Sequence, residues 1–198
     1  MITARTAAGV SVQKVVPLSV NRTLGLVGVT PVAFSPNGDG RKDRLKLSFA
    51  LAAPADVRIR VERTDGRWVA SPLAGGFGIG TQGFLWDGSR ATGTLRDGDY
   101  RAVVEAAGAT GRISYAVPFV SDTVAPRVQI LPGKGLRVSV SEPSVLTFVI
   151  DGRPLRREVK KTGTVRIAWS GPAARVRVVA WDAAGNASGP VVRIRRGD

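Results

Sequence analysis

A loop near the start of the chain, FSPNGDGRKD at 34–43, contains residue types that bind metal ions. Asn37, Asp39 and Asp43 are spaced like the early oxygen ligands of a calcium loop, and two glycines between them permit a tight bend. An EF-hand loop needs a carboxylate at its twelfth position, which is Ser48 when counted from Asn37. Three basic residues in and directly after the loop, Arg41, Lys42 and Arg44, would also repel a cation. Two interpretations stay open: a calcium site at Asn37, Asp39 and Asp43, or an Asx- and glycine-rich turn before the next strand.

A second stretch, LRDGDY at 95–100, carries two carboxylates that resemble a catalytic pair. A Leu, a glycine turn and Tyr100 are typical of a tyrosine corner, in which the phenol donates a hydrogen bond to the backbone near Leu95 or Arg96. Asp97 and Asp99 would then serve the geometry and solvation of the turn. The chain has no His and no Cys, which excludes imidazole bases, thiolate nucleophiles and the usual zinc ligands. We therefore expect no catalytic residue and no enzyme activity.

The tryptophans could stack on sugar rings or pack in a core. Trp86 precedes an Asp-Gly turn at the end of an apolar stretch, which favours a core position. Trp68, Trp169 and Trp181 are scattered one per predicted strand, which argues against a platform of several grouped rings.

The formal net charge is +14, with 29 basic and 15 acidic residues. Such a balance attracts polyanions. Five basic residues lie within nine positions and would form an anion-binding patch if they shared one face: Arg153, Arg156, Arg157, Lys160 and Lys161. The favoured interpretation is that arginines simply occupy solvent-facing strand positions. The alternative is a polyanion-binding patch, for which an anionic cell-wall polymer is a more suitable partner than nucleic acid.

Nearly every apolar stretch alternates with a period of two. LKLSFAL (45–51), VRIRVER (57–63), RVRVVAW (175–181) and VVRIRR (191–196) each place apolar and polar side chains on opposite faces. Gly, Pro, Asp or Asn bound these short segments. The pattern predicts an all-β chain of two tandem Ig-like Greek-key antiparallel β-sandwiches with about seven strands each. No run of 18 apolar residues encodes a transmembrane helix.

A weak internal repeat predicts the domain limits. SDTVAPRVQI (121–130) has a proline between two strand-like segments and reads as a joint. The endings of both halves and the first residues of the chain share a strand-turn-strand form. We therefore expect domains at 24–121 and 122–198. Residues 1–23 would be the C-terminal hairpin of a preceding domain, or a linker. The alternative is that they add strands to the first domain.

Four motifs in order give a family resemblance over about residues 30–107: FSPNGDG (34–40), DG with a following Val (65–69), WDG (86–88), and DGDY (97–100). The first domain thereby resembles the Ig-like domain of the flagellar hook-capping protein FlgD and of many exported bacterial proteases and wall proteins. The second resembles bacterial Ig-like domains more broadly through WDAAGNASG. The resemblance implies a non-catalytic spacer or attachment module of a larger exported or cell-surface bacterial protein. A polyanion-binding module is the alternative.

Overall fold

The structure is a computed structural model that describes residues 2–5, 11–14, 21–132, 135–168 and 175–194. Every regular element in these residues is a strand, and no described segment is a helix that could cross a membrane. The strands are β1 (Ile2–Arg5), β2 (Ser11–Lys14), β3 (Leu24–Thr30), β4 (Ala33–Phe34), β5 (Leu45–Leu51), β6 (Ala55–Arg63), β7 (Trp68–Phe77), β8 (Gly80–Trp86), β9 (Gly98–Gly108), β10 (Gly111–Ser121), β11 (Val128–Leu131), β12 (Leu136–Val140), β13 (Ser144–Ile150), β14 (Arg153–Val159), β15 (Gly163–Ile167), β16 (Arg175–Trp181) and β17 (Val191–Ile194).

Strands β3 to β10 form the first sandwich. Its two sheets have the orders β3-β5-β8 and β4-β10-β9-β6-β7. Alternate side chains of β6 enter the core, where Val57, Ile59 and Val61 are at most 2% exposed, whereas Arg58 between them is exposed. The period of two therefore places one face of each sheet against the other.

Strands β11 to β17 form the second sandwich, with the sheets β11-β12-β15 and β14-β13-β16-β17. Both sandwiches have the same strand order. The first, second and fifth strands form one sheet, and the third, fourth, sixth and seventh form the other. Strand β4, which pairs in parallel with β10, is an addition in the first sandwich. The predicted fold class of two tandem Ig-like β-sandwiches is confirmed.

Among the described residues, the first hairpin forms a two-stranded sheet that is separate from the sheets of both sandwiches. Strands β1 and β2 pair antiparallel with each other. Residues 6–10 and 15–20, which the prediction for 1–23 also covers, lie outside the described residues. Strand pairing does not test where an independently folding unit ends, so the domain limits 1–23, 24–121 and 122–198 stay predictions.

The aromatic corner of the first sandwich joins its two sheets. Trp86 is 3% exposed and Tyr100 is 2% exposed, and the Tyr100 hydroxyl donates to the Arg96 carbonyl at 2.9 Å. The rings of Trp86 and Tyr100 both contact Phe119, with centroids 6.4 and 5.8 Å away. The predicted tyrosine corner and the core position of Trp86 are confirmed.

Removal of the Tyr100 hydroxyl tests the corner. Tyr100→Phe leaves the ring packing intact but deprives the Arg96 carbonyl of its donor. We expect a loss of about 0.5–1.5 kcal/mol in the free energy of unfolding, measured by urea denaturation. The half-exposed Tyr115 on the same sheet provides the control Tyr115→Phe, which should change stability by less than about 0.5 kcal/mol. Equal effects of the two substitutions would contradict the role of the corner.

Candidate functional site: the joint between the sandwiches

The FSPNGDG loop folds around its own side-chain oxygens. The two carboxylate oxygens of Asp43 accept from the backbone N–H groups of Gly38 and Gly40 at 2.8 and 2.7 Å. Asp39 accepts from the Arg41 N–H at 2.8 Å, and Asn37 accepts from the Asp39 N–H at 3.0 Å. The bonds that Asn37 and Asp39 accept come from the N–H group two residues ahead and are Asx-turn bonds. The expected turn is present, and calcium binding by Asn37, Asp39 and Asp43 stays a prediction.

The same loop contacts the second sandwich through one buried amide. Asn186, in the turn between β16 and β17, is 2% exposed. Its Oδ1 accepts from the Ser35 hydroxyl at 2.6 Å and from Asn37 Nδ2 at 3.3 Å. Its Nδ2 donates to the Asp122 carbonyl and to the Asp182 carboxylate, both at 2.8 Å. One side chain thus joins the first sandwich, the connecting segment and its own turn.

Two basic side chains of the loop add further contacts across the joint. Lys42 Nζ donates to the Ala183 carbonyl at 2.6 Å, and the aliphatic part of Lys42 lies against Gly185. The Arg41 guanidinium lies over the Trp181 ring, 4.6 Å from its centroid. Cation–π contacts of this type contribute about 0.5–1 kcal/mol at exposed sites. Two of the three basic residues that argue against a cation in the loop, Arg41 and Lys42, therefore contact the neighbouring sandwich.

The connecting segment is held at both of its ends. The Asp122 N–H donates to the Phe34 carbonyl at 3.0 Å, and Asp97 accepts from the Thr123 N–H at 2.8 Å. At the other end the Arg127 N–H donates to the Ser141 hydroxyl at 2.9 Å, and Pro126 is buried. The predicted joint residues therefore have hydrogen-bond partners in both sandwiches, which limits their free torsions.

Three carboxylates meet beside Asn186. Oxygens of Asp122, Glu142 and Asp182 all lie within 4.8 Å of one another, close enough to share one cation. Burial raises the pKa of Glu142, and the charges of Asp122 and Asp182 raise it further. The pKa of Asp122 is also raised, chiefly by burial and then by Asp182 and Asp97. The joint therefore contains repulsion between like charges at neutral pH.

The predicted anion-binding residues lie far along the chain from this joint loop, on β14 and the turn after it. All five are exposed. Because neighbouring residues of a strand point to opposite faces, Arg153 and Arg157 share the face of the buried Val159, whereas Arg156 lies on the other face. Arg157, Lys160 and Lys161 also line a cleft of about 360 Å³ with Glu158. The structure divides the five residues between two faces and a turn.

Sequence reasoning missed Asn186, Asp182 and Glu142 as joint residues. The sequence signal was present, since DAAGN at 182–186 is an Asx- and glycine-rich turn like the one at 34–43. The sequence does not indicate that the two turns are in contact, because Asn37 and Asn186 are 149 positions apart in the chain. Trp169, which was placed on a predicted strand, lies outside the described residues.

Comparison with known proteins finds similar solved structures but no matching family. No protein-family model and no curated protein match the chain. Similar solved structures are the Salmonella enterica SafA pilin in complex with the SafB chaperone (13% identity, TM-score 0.42, 90% of this chain and 99% of that one) and the Clostridium thermocellum CbhA fibronectin(III)-like modules (16%, 0.45, 84% and 91%). The E. coli chaperone DraB is a third (15%, 0.38, 87% and 96%). These neighbours have Ig-like or fibronectin-III-like β-sandwich folds.

The charge repulsion at the joint predicts a pH effect. A carboxyl whose folded pKa is raised binds its proton more tightly in the folded state, so its contribution to stability is present at low pH and is lost as pH rises through the folded pKa. Glu142→Gln removes this penalty. We expect its Tm at pH 7 to exceed that of the parent by about 1–3 °C, on the scale of weakly coupled surface charges. The difference should vanish near pH 3.

Thermal unfolding in the presence of a chelator checks this expectation, with the exposed Glu158→Gln on β14 as the matched control. A lower Tm for Glu142→Gln at pH 7 would contradict it, because the charge would then stabilise the joint.

Proposed function

We propose that this chain is a rigid, non-catalytic spacer or attachment module of a larger exported or cell-surface bacterial protein. Its partners are other domains of the same polypeptide, and its first sandwich is of the FlgD type. The observation that carries the proposal is the buried Asn186, which is hydrogen-bonded to three segments across the joint. A spacer needs a fixed angle between its domains, and a buried carboxamide whose oxygen and nitrogen are both paired across the joint favours one.

The composition supports a role without catalysis. The chain has no His and no Cys, and the carboxylates of Asp43 and Asp182 accept from backbone and side-chain N–H donors of the turns that they close. Asp97, from the pair that resembles a catalytic dyad, accepts from Thr123 of the connecting segment. These groups serve the geometry of turns and of the joint.

The rigidity of the joint can be tested with two dyes, because the chain has no Cys and dyes will therefore attach only at introduced Cys residues. Ala109→Cys and Arg153→Cys place one dye site on each sandwich, at exposed positions in the turn before β10 and at the first residue of β14. Single-molecule energy transfer should give one narrow distance distribution. Asn186→Ala should broaden it and should lower the free energy of unfolding by about 1–3 kcal/mol, because the Ser35 hydroxyl and the Asp122 carbonyl lose their partner.

Asn21→Ala, an asparagine substitution away from the joint, is the matched control and should leave the distance distribution narrow. A broad distribution in the parent that Asn186→Ala does not change would overturn the proposal. Circular dichroism of the labelled variants confirms that both sandwiches are folded.

A second candidate function is binding of an anionic wall polymer through β14. The observation in its favour is that all five basic side chains are exposed on one edge strand and the turn after it. Phosphate polymers bind such surfaces by releasing counterions, so affinity falls steeply as salt rises.

Polyphosphate is a suitable probe for this function. The triple variant Arg153→Gln, Arg157→Gln, Lys160→Gln should lose most of the affinity, and the parent should lose roughly tenfold or more between 50 and 200 mM salt. The control triple Arg58→Gln, Arg67→Gln, Arg96→Gln removes the same charge from exposed positions of the first sandwich. Equal losses for both triples would show non-specific attraction to net charge and would contradict a site on β14.

A further inference from the structure

A second cleft, of about 640 Å³, opens on one side of the first sandwich. It lies between β7 and β8, which are edge strands of the two sheets. The turn after Trp86 and Arg44, the residue before β5, also line it. The volume is in the range of small-molecule sites. Neither the joint nor β14 contributes to this cleft.

The cleft has an exposed apolar surface. Trp68 is 62% exposed and Leu85 is 58% exposed, and both line it. The indole N–H of Trp68 donates to the Ala70 carbonyl at 2.9 Å. This bond orients the ring and satisfies its polar group, so the ring offers carbon surface to a ligand.

The polar groups of the cleft are held in place by the turn at 87–94. Arg90 donates from Nε to the Thr94 carbonyl at 2.9 Å and from Nη2 to the Thr92 carbonyl at 3.1 Å. The turn itself is anchored to the core, because the buried Trp86 donates from Nε1 to the Ser89 carbonyl at 3.1 Å. The guanidinium of Arg90 is therefore pre-organised, which lowers the entropic cost of binding a ligand to it.

The cleft also contains one carboxylate, that of Asp87. Hydrogen bonds from Ser89, and then the charge of Arg44, lower the pKa of Asp87. The cleft thus combines two guanidinium groups with one ionised carboxylate, an excess of one positive charge. Arginine pairs with carboxylates in planar, bidentate geometry, and Asp87 can accept from hydroxyl groups.

We propose that this cleft binds a saccharide that carries carboxylate groups. One sugar ring would stack on Trp68 beside Leu85, its carboxylate would pair with Arg44 or Arg90, and a hydroxyl would donate to Asp87. The apolar ring surface, the excess positive charge and the hydroxyl acceptor together fit this class of ligand. A single stacked ring also agrees with tryptophans that are scattered rather than grouped in a platform.

Isothermal titration of the full chain with a galacturonic acid trimer tests the proposal. We expect saturable binding with one site, and at least tenfold weaker binding of the neutral trimer maltotriose. Trp68→Ala and Arg90→Gln should each weaken the binding of the acidic trimer at least tenfold. Arg67→Gln, an exposed arginine next to Trp68 that does not line the cleft, should bind like the parent.

The proposal is overturned by absence of saturable binding, or by affinity that survives Trp68→Ala. Hexaglutamate, an acidic peptide, distinguishes recognition of a saccharide from recognition of any acidic chain. If it binds as tightly as the trimer, the cleft recognises acidic chains by charge, or acidic peptides by pairing with an edge strand, and the saccharide assignment is wrong. Because Trp68 is exposed, its truncation should leave the Tm of the first sandwich unchanged, which separates loss of binding from loss of folding.

Discussion

The relative position of the two sandwiches depends on the hydrogen bonds of one buried carboxamide. Asn186 is almost inaccessible to water, so each of its polar atoms needs a partner within the protein. Those partners come from the first sandwich, the connecting segment and the Asp182 turn. Any rotation at the joint that separates them leaves buried donors and acceptors unpaired, at a cost of about 1–3 kcal/mol for each group. The hydrogen bonds of Asn186 therefore favour one angle between the two sandwiches.

This joint explains why the loop at 34–43 resembles a metal-binding loop. A calcium loop and a tight Asx-rich turn both need oxygen acceptors that point inward and glycines that permit the bend. In this loop the inward oxygens accept backbone N–H groups, which fixes the loop in the shape that presents Ser35 and Asn37 to the second sandwich. The positive charges of Arg41 and Lys42 then act outward, on Trp181 and on the Ala183 carbonyl.

The sequence predicts the features that depend on neighbours in the chain. Periodicity gives the bounds of β5 and β16 to the residue, because each strand has one buried and one solvent-facing side. The Tyr100 corner follows from a turn of four residues. The joint could not be predicted in this way, since Asn186 and Asn37 meet only after both sandwiches have formed. The cleft at Trp68 is equally non-local, because it depends on which strands become the edges of two different sheets.

The arrangement of strand edges also constrains what a spacer can expose. An edge strand with unpaired N–H and C=O groups invites pairing with another chain, and charged side chains or proline on the edge oppose this. Strand β14 carries Arg153, Arg156 and Arg157 along its edge, and β7 contains Pro72. Charged side chains at these positions oppose pairing of β14 with the edge of another chain. The exposed Trp68 on β7 is neither charged nor a proline, so this edge protection does not account for it. Its ring is 62% exposed and is oriented by its own N–H bond, and it is the surface that the proposed saccharide would cover.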